Sequence, residues 1–458
     1  MLRVKINFIW VFLFGLFFSN DWVLDYKNQL FYEDDFYVYF SKKDWNGIKD
    51  SSKKSSVFFD FIKERASVYE AEMSGLDLDF DVQERLSGRF DRLLVNEYYM
   101  RDFLLSLVPK SALAFCEKNL KTEVFVNHIL VETDSLASVL VDSLKKGGDF
   151  KALALSFSKD PSVEKNSGSL GWVGIGETVP AFQNVFFGLC VGCVGVSVTD
   201  FGYHVIRVDS LRPSKYVDLN KDEYNDFAFR FSTGYIDGSL KDFAARHDSL
   251  LLEEYNVFFN RPLIEVFIKN IKSETLKTKN KRRSDVDFVG LLGGLDGVVA
   301  SYNGALLSGK WFANKLSGSF YTNVYFDDVN NFVGELRLVL LRDIVRVLAL
   351  KKGLDTGFSF TKQFNSIRSS VLQKEFLKRL VQSVPSPSKT EIEEYYYLNE
   401  QSLFLNKKTG EPFGLDSSFG SVEAILLKEK QEAAKVGFFN SLKGEGVKIN
   451  KGWLYGVD

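Results

Sequence analysis

His128 and His204 are two of only three histidines in 458 residues. His128 lies in Val124–Val131 (VFVNHILV) and His204 in Thr199–Val208 (TDFGYHVIRV). Both stretches alternate or run apolar, the pattern of half-buried and buried strands. On the first, Val124, Val126, His128 and Leu130 fall on one side. The two strands bracket a domain-sized stretch of about 85 residues, so the rings are expected to meet in one sheet. Imidazole pairs can bind metal, move protons or organise a pocket by hydrogen bonding. The plain structural alternative is two rings sharing a hydrogen bond across a small sheet. The third histidine, His247, falls in a polar-rich helical stretch and is expected at the surface.

The elements around the pair follow from pattern and punctuation. Two helical stretches, about Ser135–Lys145 and Asp149–Phe157, flank Gly147-Gly148. A polar loop, Ser158–Ser169, leads to Leu170-Gly171-Trp172. Pro180 suits the first turn of a short helix, Pro180–Phe187. Runs near Val194–Thr199 and Tyr203–Asp209 close the unit, and Pro213 ends it. The order βααβαββ is that of a small α+β domain.

Cys190 and Cys193 form a C-x-x-C, and Cys116 stands alone. The βαβ setting of a thioredoxin-like motif is missing. Zinc would want four ligands, and no second C-x-x-C or histidine cluster supplies them. Two small apolar residues in a turn after a helix is the favoured reading, with a disulfide or redox pair as the alternative. No metal and no cofactor are expected. Gly290–Gly309 is glycine-rich, but without G-x-x-x-x-G-K-[ST] it is no phosphate loop; strands and turns are expected there.

Length predicts two to four domains. With 58 basic against 60 acidic residues the net charge is −2, which gives no global electrostatic case for nucleic acid. The one basic cluster, Lys277–Arg283, reads as a solvated linker. Arg3 and Lys5 precede an apolar run, Phe8–Phe18. Eleven helical residues span only ~17 Å, against a bilayer core of ~30 Å. This is the pattern of a secretory signal, with an uncleaved anchor as the alternative.

Outside the α+β unit the pattern is mainly helical. Leu86, Phe90, Leu93, Leu94 and Tyr98 share one helix face. Gly75-Leu76-Asp77 and Pro109 interrupt helices. Phe332–Lys352 and Val371–Val384 read as helices, and Thr390 with Glu393 as a capping box. A short internal echo links LLSLVPK at Leu104–Lys110 with RLVQSVPSP at Arg379–Pro387.

Val124–Leu211 resembles the parvulin-type peptidyl-prolyl cis/trans isomerases through NHILV, SKDP, GSLGWVGIGETVPAF and TDFGYHVIRV, in that order. The wider chain is similar to the exported SurA/PrsA-like foldases, in which helical chaperone segments surround parvulin domains. The resemblance implies a multidomain α+β protein: a signal or anchor at 1–20, a helical chaperone-like segment at 21–123, the isomerase at 124–212, a helical then mixed segment at 213–331 and a C-terminal helical segment at 332–458. It implies X–Pro isomerase activity on unfolded or nascent exported polypeptides, with no nucleic acid partner, in the periplasm or cell envelope of a bacterium. Peripheral or anchored membrane association and contact with envelope assembly machinery are compatible with it. The alternatives are a catalytically weak, polypeptide-gripping domain and an accessory subunit of an envelope complex. By the same resemblance Leu170 and Phe182 fall at proline-pocket positions, and Thr178 stands where methionine is usual. His128 and His204 match the core pair, Thr199 the threonine bonded to it, Asp160 an acid or cysteine position, and Phe201 a serine position. Gly192–Thr199 is one residue shorter than the usual pattern.

Overall fold

The computed structural model describes residues 22–277, 287–317, 326, 328–406, 409–444 and 446–455. The expected signal and almost all of the basic cluster lie outside them. Among the described residues, no helix is long and apolar enough to cross a membrane. Ten strands are described: β1 (Trp22–Tyr26), β2 (Gln29–Tyr32), β3 (Thr122–Val131), β4 (Ser169–Val173), β5 (Val194–Thr199), β6 (Gly202–Pro213), β7 (Phe258–Phe259), β8 (Val298–Tyr302), β9 (Ala305–Ser308) and β10 (Val447–Ile449). They form three antiparallel sheets, ordered β10-β1-β2, β4-β3-β6-β5 and β7-β8-β9.

The chain divides into two compact units, residues 1–89 with 362–458, and residues 90–361. In the first, both ends of the chain share one core. Phe36 has no exposed surface and meets Trp45, Phe61 and Trp453 edge-on, with centroids at 4.7, 5.3 and 5.1 Å. The mainly helical N-terminal segment thus opens on a pair of strands. Its hairpin β1–β2 needs β10, from the other end of the chain, to complete the sheet. The capping box near Thr390 is shifted. Ser388 Oγ accepts from the backbone N–H of Glu391, and the Ser388 N–H donates to Glu391 Oε2 at 2.7 Å, because the helix already starts at Lys389.

The second unit holds the α+β domain and a further core around β7-β8-β9. Gly290–Gly309 forms more helix than expected: Phe288–Gly293 is helical before β8 and β9. His247 is a correction as well. It is only partly exposed, its ring lies 4.7 Å from that of Phe103, and Nε2 is 3.1 Å from Tyr98 Oη. Aromatic neighbours on distant segments draw it inward, which local polarity does not reveal.

Within the α+β domain, β3 and β6 are the central pair. One face carries Ile129, Val131 and Val205 against the helices Asp134–Lys145 and Phe150–Phe157; the other carries Val124, Val126, Ile206 and Val208 against the helix Pro180–Phe186. The helices start where side chains supply caps: Thr133 Oγ1 accepts from Leu136 N, and Asp149 Oδ1 from Lys151 N. Pro180 opens the third helix, where its missing N–H costs nothing. Cys190 and Cys193, expected as plain turn residues, are disulfide-bonded with Cα atoms 5.2 Å apart. The turn between the helix and β5 brings them together.

Candidate functional site

Antiparallel register sets the two histidines. His128 pairs with Ile206, and His204 with Leu130. They are diagonal neighbours on the face toward Phe182. Their rings lie nearly parallel, 5.6 Å apart, with Nδ1 to Nδ1 at 3.3 Å. Phe182 meets both edge-on, at 5.8 Å from His128 and 5.2 Å from His204. All three side chains belong to residues that are less than a tenth exposed.

The polar atoms form one chain. Thr199 Oγ1 is 2.8 Å from His204 Nε2 and also accepts from the N–H of Phe201. His128 Nε2 lies 2.9 Å from Asp160 Oδ2, but off the line of a proper hydrogen bond. A carboxylate can only accept. Attraction therefore needs the hydrogen of His128 on Nε2, which leaves Nδ1 bare. Nδ1 then accepts from His204 Nδ1–H, and His204 Nε2 accepts from the Thr199 hydroxyl. In this set the ring-to-ring and ring-to-threonine bonds each have one donor and one acceptor, and His128 Nε2–H faces the carboxylate. The reverse set would aim a lone pair at a carboxylate.

Asp160 is itself held. The Ser162 N–H and hydroxyl donate to its Oδ1 at 2.7 and 2.6 Å. Burial pushes its carboxyl up, but these bonds and the neighbouring imidazole outweigh burial and hold it below the usual range. The loop bearing it is tied to β3: Leu130 N–H donates to Ser158 Oγ, and Lys159 N–H to the Leu130 carbonyl. Gly168 ends the loop at φ +82, where a Cβ would lie 2.7 Å from the His128 carbonyl oxygen. Only glycine fits there.

Burial lowers the affinity of both imidazoles for protons. For His204 the charge on His128 adds to burial and the value falls to about 4; for His128, Asp160 partly opposes it. Both rings are neutral at pH 7. An unfolded histidine titrates near 6.5, so below that pH the unfolded chain binds protons that the fold excludes. The stabilisation is full above about pH 6.5 and is lost as pH falls toward 4, by roughly 3 kcal/mol for His204 alone. In an NMR titration the His204 ring should stay neutral at pH 5.5. A midpoint near 6.5 would contradict the burial argument.

A cavity of about 180 Å³ opens over this pair, lined by His128, Leu170, Thr178, Val179, Phe182, Thr199, Phe201 and His204. It is mostly apolar and takes one small ring. Seven of the eight side chains singled out from sequence line it; Asp160 does not, and touches the cavity only through His128. Val179 was missed. Its signal was its place before Pro180, which holds it extended at the helix N-terminus. Phe201 is 76% exposed and forms a rim, while Phe182 is the floor.

Thr178 is the misfit. Its Oγ1 is buried with no hydrogen-bond partner among the described residues. Such a hydroxyl costs about 1–3 kcal/mol. Thr178→Val keeps the shape and removes the hydroxyl. It should raise the domain's unfolding midpoint and tighten binding of a proline-containing peptide, measured by thermal unfolding and NMR titration. A lower midpoint would show that the hydroxyl has a partner.

Residues 115–212 match the family described as the PPIC-type PPIase domain. Foldase protein PrsA of Halalkalibacterium halodurans is 30% identical over 206 residues, 41% of this chain and 61% of its own. Chaperone SurA of Alcanivorax borkumensis is 38% identical over 102 residues, 20% of this chain and 23% of its own. The solution structure of NmPin, the parvulin of Nitrosopumilus maritimus, aligns with 20% of this chain and 97% of its own at 34% identity and a TM-score of 0.19. The chain thus spans less than two thirds of the two curated relatives. Residues 115–212 are a PPIC-type PPIase domain of the parvulin kind, set in a chain whose curated relatives are named foldase PrsA and chaperone SurA.

Proposed function

We propose that the protein is an exported foldase: a polypeptide-holding chaperone that carries one peptidyl-prolyl isomerase. The observation that carries this reading is the small apolar cavity floored by Phe182 and a neutral histidine pair. An X–Pro amide rotates against a barrier of ~18–20 kcal/mol because its resonance must be lost. No bond breaks, so no nucleophile is needed. The pyrrolidine ring sits in the apolar cavity, and the amide beside it leaves water. Desolvation favours the twisted amide, which is less polar than the planar one. The neutral rings, fixed by Asp160 and Thr199, add a pre-set dipole without an ionic charge. His128, His204 and Thr199 line the site; Asp160 is a positioning residue behind it.

The basic start and the apolar run Phe8–Phe18 support export to the periplasm or cell envelope. Clients are then unfolded or nascent exported polypeptides, outer-membrane proteins among them where the cell has an outer membrane. Peripheral or anchored membrane association and contact with envelope assembly machinery fit the same compartment. Exchange NMR on a short X–Pro peptide, with catalytic amounts of the full chain, tests the enzymatic half. Faster cis/trans exchange is expected. A folded protein that leaves the exchange rate unchanged would rule that half out.

Thr178, standing where the resemblance expects methionine, favours a second reading, a domain that grips polypeptide but turns X–Pro bonds over slowly. It requires tight peptide binding without acceleration in the same experiment.

A further inference from the structure

The short echo at the two Val-Pro helix ends extends through the structure far beyond those ends. In β1–β2, Trp22, Leu24, Asp25 and Tyr26 pair with Tyr32, Phe31, Leu30 and Gln29. In β8–β9, Val298, Ala300, Ser301 and Tyr302 pair with Ser308, Leu307, Leu306 and Ala305. Both hairpins bulge after the first pair. Both turn through two residues of positive φ, Lys27-Asn28 and Asn303-Gly304, as a tight hairpin requires. A helix with a fully buried phenylalanine follows each: Phe36 and Phe312.

The likeness continues in step. Ser51–Met73 and Val329–Lys351 are both 23-residue helices. Phe61, Ile62 and Ala66 in the first match Val339, Leu340 and Ile344 in the second, all buried. Each is followed by a left-handed glycine, Gly75 or Gly353, and a short 3-10 turn, Leu76–Leu78 or Leu354–Thr356. In the next helix a buried glutamate pairs with an arginine one turn on: Glu97 with Arg101 at 2.8 Å, and Glu375 with Arg379 at 2.9 Å. Then come Lys110–Asn119 and Lys389–Asn399, where Asn119 and Asn399 each donate Nδ2 to the carbonyl four residues back.

After these asparagines the halves diverge. Asn119 leads into the isomerase, and the chain resumes helix at Lys221–Ser232, packed on Lys110–Asn119. Asn399 leads through residues 400–414 into Leu415–Ser441, packed on Lys389–Asn399. The tails then match again. Asn260 follows β7 and Asn450 follows β10. Asn260 Nδ2 donates to the Val298 carbonyl at 3.0 Å, and Asn450 Nδ2 to that of Trp22 at 2.9 Å. Their N–H groups reach the carbonyls of Val299 and Val23. Their Oδ1 atoms accept from Leu263 N and Trp453 N. Val298 and Val299 stand in the same register as Trp22 and Val23.

We infer that the chain is one module written twice, with the tails exchanged: each half's terminal strand and asparagine complete the sheet built by the other half's hairpin, and the second half is a further polypeptide-holding module with a short connection, residues 400–414, where the first carries the isomerase. The holding role rests on the foldase reading; the duplication does not. At the position equivalent to the isomerase, the second half exposes apolar side chains: Leu398 at 84%, Tyr397 at 65%, Leu403 at 54% and Phe413 at 49%. The first half offers a proline-peptide cavity at this insertion point, so the occupant assigned to the second is an extended, apolar stretch of unfolded polypeptide.

Four variants of the full chain test this. Asn260→Ala and Asn450→Ala should each lower protease protection of the sheet they cap, by similar factors of about fivefold, whether or not the protein is a chaperone. No loss in either overturns the exchange of tails. Replacing residues 120–220 with residues 400–414 should close the helix pair as in the second half. The variant should stay folded by circular dichroism, lose all X–Pro isomerase activity and keep suppression of heat-unfolded citrate synthase aggregation within about twofold of wild type. Collapse of the variant overturns the duplication. Leu398→Ser with Leu403→Ser should weaken that suppression at least threefold and leave isomerase activity intact. Suppression equal to wild type overturns the second holding module. A wild-type chain that suppresses nothing refutes the chaperone reading and the holding role with it, and leaves the duplication to stand or fall on the asparagine pair and on the folding of the replacement variant.

Discussion

Phe182→Ala should lower kcat/KM for an X–Pro peptide by roughly 30- to 100-fold. The ring is the floor of the cavity and is 4% exposed. Burying a phenylalanine is worth about 1.5–3 kcal/mol, and each 1.36 kcal/mol is tenfold in rate. The loss should appear in KM as well as kcat, because the same ring seats proline and backs the two imidazoles. Truncation also removes about 3–5 kcal/mol of domain stability, so the rate must be read where NMR shows the domain folded. Phe182→Leu is the control. It keeps apolar volume but loses the edge-on ring contacts, and should fall between the two. Wild-type kinetics in a folded alanine variant would place the proline elsewhere.

The second large effect is expected at Asp160. Asparagine keeps the shape and can still accept from Ser162, but its amide can also donate. With Nδ2 toward His128, the hydrogens of the chain reverse: His128 donates from Nδ1, and His204 donates from Nε2 to Thr199. Nitrogen NMR of the imidazoles reads this directly, since protonated and bare ring nitrogens are well separated in shift. The dipole over the cavity reverses too, and kcat/KM should fall on the order of tenfold. Because Asp160 acts through His128, peptide binding should change much less than turnover. An unchanged tautomer pattern would show that the carboxylate does not set it. Asp160→Ala removes the Ser162 acceptor as well, and loosens the loop in addition.

Local signals revealed the isomerase because its chemistry is local. His128 and His204 sit on strands with clear alternation, and Pro180, Gly147-Gly148 and Pro213 punctuate the elements between them. Leu170, Thr178, Phe182, Thr199 and Phe201 could be placed because motif order fixed their register. What could not be read depends on distant partners. β1 and β2 are short, and nothing near Trp22 says that Val447–Ile449 will complete their sheet. His247 looks like a surface residue until Tyr98 and Phe103 arrive from another helix. The Cys190–Cys193 bond depends on a turn whose geometry the spacing alone leaves open. The internal echo was visible only at one helix end, since the repeated features are register, burial and turn conformation rather than residue identity. Phe61 and Val339 occupy one role with different side chains, and so do Trp22 and Val298.

The most direct test of the foldase reading follows the refolding of a client limited by a native cis-proline, such as a ribonuclease, in the presence of catalytic amounts of the full chain. Uncatalysed, that phase takes tens to hundreds of seconds. Wild-type protein should shorten it in proportion to its concentration, Thr178→Val should shorten it at least as well, and Phe182→Ala should leave it slow. A slow phase that wild-type protein leaves unchanged, with the isomerase domain folded and the cavity intact, would contradict the assignment of X–Pro turnover to this site.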